Sequence, residues 1–471
     1  MDKARIRDIV DHWVMPTEES GYMGGIENKP VLASANGSTV VDTDGKEYLD
    51  FQSGQMGAAI GHRHPKVMES IRKSTETFVH ASNIMLNVPR LELHERLGKL
   101  LDPPLQKSLF LVTGSDTIDA SVDLARKATG GLDILGMHQG LHGSTSYLTR
   151  SISFAWKRSK HAAVAPATSS MLTPHCYRCP VASTFPKCEF QCLKTSMELA
   201  DANFTSKPAA VIAEPIVSAG GVIVPPPGYF AALRKACDDR QMLLIFDEAQ
   251  TGLGKTGKMF GYQHDGVVPD IIALSKHFGG GMPVSAVCTS AEIADRAVKN
   301  GYFATRSHAT DPMACAAGVA SLDAIVDEDL PGRAAHIETM MKSAWAEMAT
   351  RYEIIGDIRG RGVLLGLEMV ADRQLKTPAN KEAEAIDRYC LEKGLIAQLR
   401  GTGPGRRNVM RFVPPMTTTD AEVERALSIL EDAFAATCKG RAQPSVSIPA
   451  SSPAGAHAPA GETVAAPVAA D

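Results

Sequence analysis

The chain has 471 residues, with 49 Lys and Arg against 53 Asp and Glu, a net charge of −4 and 9 cysteines. That length exceeds one small core and sets the expectation of two domains plus a tail. No basic stripe marks a nucleic-acid partner, no apolar run approaches the ~20 residues of a membrane span, and Met1-Asp-Lys-Ala-Arg-Ile-Arg-Asp8 lacks an apolar signal core, so a soluble cytoplasmic protein is expected.

Residues 1–50 read as an N-terminal segment. Between 51 and 317, apolar runs alternate with helical stretches, among them 108–112, 209–213 and 243–246. This alternation predicts βαβ units and a large α/β domain built on a mostly parallel sheet. From 318 to 440 the pattern becomes a long helix, a strand over 363–369, another helix and a strand over 408–413, which predicts a smaller α+β domain. Residues 441–471 are rich in Ala, Pro and Ser and hold few large apolar side chains. They cannot bury enough surface to offset ordering entropy, and disorder is expected there.

Three places along the large domain carry chemistry. Thr113-Gly114-Ser115-Asp116 follows a strand and opens a helix, where backbone N–H groups and the helix dipole favour an anion; a plain capped helix start gives the same pattern. Met242-Leu-Leu-Ile-Phe-Asp247-Glu248-Ala-Gln250-Thr-Gly252 is a short apolar strand that ends in carboxylates and a glycine turn. Asp270-Ile-Ile-Ala-Leu-Ser-Lys276 is a second such strand, ending in a lysine before Gly279-Gly-Gly281. A lysine there faces the crevice beyond the sheet, where open α/β folds bind ligands. A partly desolvated amine in that crevice can lose its proton and attack a carbonyl, although strand-end lysines also simply snorkel to water. The acid Asp247 twenty-nine positions earlier tips the reading toward two neighbouring strands feeding one site. Pyridoxal phosphate needs that pair: an amine to join its aldehyde and a carboxylate to keep its pyridine nitrogen protonated. By contrast, Gly252-Leu-Gly-Lys-Thr256 only imitates a nucleotide P-loop, because Ala249 stands where that loop needs glycine.

These two segments, in this order and spacing, resemble those of fold-type I pyridoxal-phosphate enzymes of the class III aminotransferase group. Val41-Asp-Thr-Asp-Gly45 to Asp50, Gly61-His-Arg-His-Pro65, His142-Gly143, Ala213-Glu214-Pro215 and Gly360 to Gly366 carry the resemblance further, from about Asn36 to about Thr437. It implies a fold-type I transferase that is a homodimer or a dimer of dimers, acting on an amino acid and a keto acid. It also implies that Thr113, Gly114 and Ser115 hold the cofactor phosphate, with Ser307 reaching it from the partner subunit. Leu141 and His142 then flank the ring, Gln250 bonds the phenolic oxygen, and Lys276 and Asp247 take the roles above. Arg411, in Met410-Arg411-Phe-Val-Pro-Pro, matches the group's carboxylate-binding arginine, and a guanidinium fork suits a carboxylate; a surface ion pair is the other reading.

The segment Phe51-Gln-Ser-Gly54-Gln55-Met56 is similar to that of 2,2-dialkylglycine decarboxylases. The resemblance implies a decarboxylating transaminase, in which Gln55 holds a substrate carboxylate perpendicular to the cofactor ring so that CO2 leaves. A ketone departs, and an α-keto acid such as pyruvate then takes the amino group. An ordinary class III aminotransferase, an amino-acid epimerase and a pseudoenzyme on the same scaffold are the alternatives. The same resemblance implies an alkali metal ion held by Ala81, Asn83, Ser307, Ala309 and Asp311; alternatively Asp311 merely caps the next helix. Three departures stand out: Leu141 replaces an aromatic residue, Ile118-Asp119 replaces Asn-Glu, and Ala219 replaces a serine. Finally, Cys176-x-x-Cys179 and Cys188-x-x-x-Cys192 allow a structural metal, free thiols or disulfides.

Overall fold

The computed structural model describes residues 2–15, 30–154, 164–401 and 405–438; the tail expected to be disordered lies outside the described residues. Strands β1 (Leu32–Asn36), β2 (Thr39–Asp42) and β3 (Glu47–Asp50) form an antiparallel meander near the N-terminus. The large domain then supplies β4 (Lys107–Leu111), β5 (Asp133–Met137), β6 (Thr168–Met171), β7 (Pro208–Ala213), β8 (Leu243–Asp247), β9 (Ile271–Leu274) and β10 (Ser285–Thr289). These pair as one seven-stranded sheet in the order β4-β10-β9-β8-β7-β5-β6. The strand run from β9 to β6 is parallel, as expected, while β10 runs antiparallel between β9 and β4.

Alternation along β8 shows why the sheet is buried on both faces. Leu244 and Phe246 enter one apolar core and Ile245 enters the other, because successive side chains of a strand point to opposite faces. Each such side chain contributes about 1.5–3 kcal/mol by leaving water. The helix Gly114–Thr129 covers one face with Ile118, Val122 and Ala125.

The C-terminal part contains β11 (Ile355–Arg361), β12 (Leu364–Asp372), β13 (Thr377–Pro378), β14 (Leu395–Ile396), β15 (Gln398–Arg400) and β16 (Val409–Phe412). Strands β11-β12-β16-β15 form an antiparallel sheet, with β13 pairing on β12. Position 318, where the smaller domain was expected to begin, lies inside the helix Pro312–Asp327, which packs on the helices Pro65–Thr77 and Val88–Gly98. Asp329, whose φ is 43°, separates that helix from Leu330–Arg351. Within the N-terminal segment, β3 pairs in parallel with β14, matching Leu49 with Leu395.

Candidate active site

The carboxyl ends of β8 and β9 meet at one crevice. Asp247 closes β8 and lies in register with Ala273 of β9. Lys276 follows β9 after a single residue, in a tight turn where its own φ is 59°. The two candidate residues are thus brought together by adjacent parallel strands, as their shared pattern predicts. Both line a cavity of about 510 Å³, together with Gln55, Thr113, Gly114, Ser115, Leu141 and Gln250. Burial pulls the Lys276 ammonium below its ordinary value, against Asp247, and Arg411 pulls the same way as burial. A lowered value leaves more of the amine unprotonated and nucleophilic.

Asp247 is itself buried and held from two sides. His142, fully buried, donates Nδ1–H to Asp247 Oδ2 at 3.0 Å, and the Ala249 N–H donates to Oδ1 at 3.1 Å. His142 Nε2 has no partner among the described residues.

The helix Gly114–Thr129 begins at the cavity wall, and the Thr113 side chain caps it by accepting from the Asp116 N–H at 3.2 Å. Backbone there is packed too closely for side chains. A Cβ on Gly143, whose φ is 99°, would lie 2.7 Å from Ser115 Oγ, and one on Gly114 would lie 2.8 Å from Ser275 Oγ. A helix N-terminus lined by hydroxyls and bare backbone fits a phosphate. With the depressed lysine and the buried acid beside it, this donor set fits pyridoxal phosphate.

Arg411 enters from β16 of the smaller sheet and is buried. Its Nη1 donates to Ser218 Oγ and to Gln250 Oε1, both at 3.0 Å, and its Nη2 donates to Gln398 Oε1. Arg411 is therefore no surface ion-pair residue; it stands directly behind the cavity residue Gln250. Gln55, itself exposed, reaches the cavity wall on a segment in which Ser53, Gly54, Gln55 and Met56 all have positive φ, Ser53 and Met56 being buried. Such strain in non-glycine residues gathers at functional sites.

Some candidates lie elsewhere. Ser307 is exposed and does not line the cavity of its own chain. Asp311 begins the helix Pro312–Asp327 without a side-chain capping bond, so the simple cap reading fails. Its two oxygens accept from His80 Nδ1 at 2.6 Å and His308 Nδ1 at 2.7 Å. Asn83 Nδ2 donates to the Arg306 carbonyl at 2.9 Å. All nine cysteines are free, which removes the disulfide alternative for Cys176, Cys179, Cys188 and Cys192.

Three buried ionisable residues around the site were not singled out from sequence. Glu214 comes directly after β7, much as Asp247 ends β8, so the same acid-at-strand-end signal was present. It accepts from the Leu141 N–H at 2.8 Å and the Ser218 N–H at 3.1 Å, and burial pushes it up to about 7, against His142. Glu248 accepts from the Gly261 and Tyr262 N–H groups at 2.6 and 2.8 Å. Lys255, the lysine of the false P-loop, is wholly buried and donates to His277 Nδ1 at 2.8 Å. No local pattern distinguishes it from a surface lysine.

This geometry defines a fold-type I pyridoxal-phosphate transferase site. The chain belongs to the class-III aminotransferase family, whose model matches residues 26–434. It is 34% identical to an uncharacterized aminotransferase of Schizosaccharomyces pombe over 92% of this chain and 97% of that protein. It is also 34% identical to a leucine/methionine racemase of Thermococcus litoralis, over 88% and 92% of the two chains. Among solved structures, a thermostable (S)-enantioselective omega-transaminase from Thermomicrobium roseum superposes with a TM-score of 0.84 at 26% identity, covering 93% of this chain and 99% of that one. Among the described residues no helix is long and apolar enough to cross a membrane.

Proposed function

We propose that this enzyme transfers an amino group from an amino-acid donor to a keto acid by breaking a Cα–H bond, without loss of CO2. The observation that carries this reading is the convergence of Lys276, Asp247 and the Thr113–Ser115 helix start on one cavity, backed by Arg411. Bound there, pyridoxal phosphate supplies an aldehyde for the donor's amino group and a ring that accepts electrons from the breaking bond. The protein's own residues do the rest. Asp247, oriented by His142, would keep the ring nitrogen protonated. The amide groups at the start of the helix would hold the phosphate. Lys276 would take the proton from Cα as general base. Arg411, standing behind Gln250, would turn its guanidinium fork to the substrate carboxylate. The active unit is a homodimer in this reading, with Ser307 contributing across the subunit boundary.

The decarboxylating cycle expected from Gln55 has weaker support. Gln55 does reach the cavity, but neither curated relative above is named for decarboxylation. The alkali-ion reading is also weak, because both Asp311 oxygens already accept from imidazoles. Epimerisation is the second reading, favoured by the 34% identity to the leucine/methionine racemase; it too breaks a Cα–H bond.

One assay separates the three. Purified protein with pyridoxal phosphate receives single L-amino acids with and without pyruvate, and 2-aminoisobutyrate with pyruvate, with products followed by mass spectrometry and chiral chromatography. Alanine formation from donors bearing Cα–H is expected. Appearance of the D-isomer without pyruvate would favour epimerisation. Faster turnover of 2-aminoisobutyrate to acetone and CO2 would overturn the proposal.

A further inference from the structure

The stretch from β6 into the first turn of the helix Gln191–Asn203 belongs to no part of the amino-transfer site, yet it concentrates four of the nine cysteines. Cys176, Cys179, Cys188 and Cys192 line one small, partly open cavity of about 20 Å³, with His175 beside them and Cys176 at its exposed edge. A volume of that order is enough for one water-sized particle. The backbone is shaped to bring the sulfurs there. Cys176 opens a single 3-10 turn that ends before Cys179. Glu189 and Phe190 both adopt positive φ, 44° and 58°, and turn the chain back so that Cys188 and Cys192 meet the same cavity. Cys192 lies in the first turn of the helix Gln191–Asn203. The Ser183 N–H already donates to Cys179 Sγ at 3.4 Å. Buried His175 has an Nε2 without a partner among the described residues, available to donate to a charged sulfur.

We propose that Cys176, Cys179, Cys188 and Cys192 bind one zinc ion through four thiolates. Four thiolates satisfy the tetrahedral preference of this borderline-soft ion, and binding releases the thiol protons to solvent. The sulfurs are looser than a filled site requires, since the one His/Cys/acid group among the described residues with ligand atoms within 4.8 Å of one another is His80, His308 and Asp311. Binding therefore draws the two cysteine pairs together.

The ion's place in the fold indicates its role. Between the first pair stand Tyr177 and Arg178, and both grip the smaller domain. Arg178 Nε donates to buried Glu368 Oε1 of β12 at 2.6 Å, and Lys376 Nζ donates to the Tyr177 carbonyl at 2.7 Å. Glu368 also pairs with Arg359 at 2.7 Å, and Arg359 Nε donates to the Gly221 carbonyl of the large domain at 2.9 Å. Zinc would clamp the base of this strap and hold the two sheets in register behind Ser218 and Arg411.

The test uses the full-length enzyme purified with its cofactor and without chelators. Metal content is measured by inductively coupled plasma mass spectrometry, with a Cys176→Ser/Cys179→Ser double variant and Cys438→Ser as control. About one zinc per chain is expected in the native enzyme and the control, and almost none in the double variant. X-ray absorption at the zinc edge should show sulfur neighbours alone, at about 2.3 Å. Should the double variant fail to fold, titration of the native enzyme with an organomercurial, read with a zinc dye, should release that zinc as four thiols react. Absence of metal, iron in place of zinc, or a shell containing nitrogen or oxygen would each overturn the assignment.

Discussion

Gly143→Ala probes the cofactor cradle without touching any reacting group. At this position φ is 99°, and an added Cβ would lie 2.7 Å from Ser115 Oγ and 3.1 Å from Ser115 Cα and Cβ. Holding alanine in such a backbone conformation costs about 1–3 kcal/mol. Overpacking adds about another 1–3 kcal/mol. The nearest relief is displacement of Ser115, which breaks the bond from the Ser144 N–H to Ser115 Oγ, 3.2 Å long, and moves the first turn of the phosphate helix. If about 3 kcal/mol of the total falls on that turn, cofactor affinity drops about 100-fold, at about 1.4 kcal/mol per decade. The measurement is a titration of cofactor-free enzyme with pyridoxal phosphate, followed by absorbance, with circular dichroism to verify folding. Because the two residues touch, Ser115→Ala should be non-additive with Gly143→Ala by at least about 0.5 kcal/mol. An unchanged dissociation constant for folded Gly143→Ala would refute the claim that the phosphate sits on this turn.

Other outcomes follow from the same geometry. Lys276→Ala should abolish turnover and the near-visible absorbance band of the protein-linked cofactor, as read in a simple spectrum. Arg411→Lys keeps the charge but cannot reach Ser218, Gln250 and Gln398 together; KM for amino acids should rise about tenfold or more, a loss of about 1.4 kcal/mol or more of binding, while amines lacking a carboxylate are spared. Glu248 is held at about 7, above its usual 4.5, chiefly by burial. A carboxyl group raised in the folded state carries stability present below 4.5 that is lost as pH rises through 7. Glu248→Gln should therefore flatten the fall of Tm over that window in thermal melts, while lowering Tm overall because an amide cannot accept from Gly261, Tyr262 and Thr251 at once.

Much of the site was legible because its signals are local. An apolar run that ends in Asp247, another that ends in Lys276, and a strand that gives way to Thr113-Gly114-Ser115 each announce a strand end by period and punctuation alone. The sequence of helix Pro312–Asp327 states that it is apolar, not which neighbouring helices cover it. The cysteine segment left three readings open because spacing along the chain does not report whether sulfurs share one cavity.

Sequence alone determined the α/β architecture, the strand-end lysine and acid, and the helix-opening turn at Thr113, since each follows from a handful of consecutive residues. Tertiary structure decided the rest. It set Asp247 in register with Ala273, seated Glu214 under Leu141, ran β10 against its neighbours, gave both Asp311 oxygens to His80 and His308, and brought Arg411 to Ser218 and Gln250 across 193 and 161 positions. Contacts of that span depend on how whole sheets pack, and no residue's local preference encodes them.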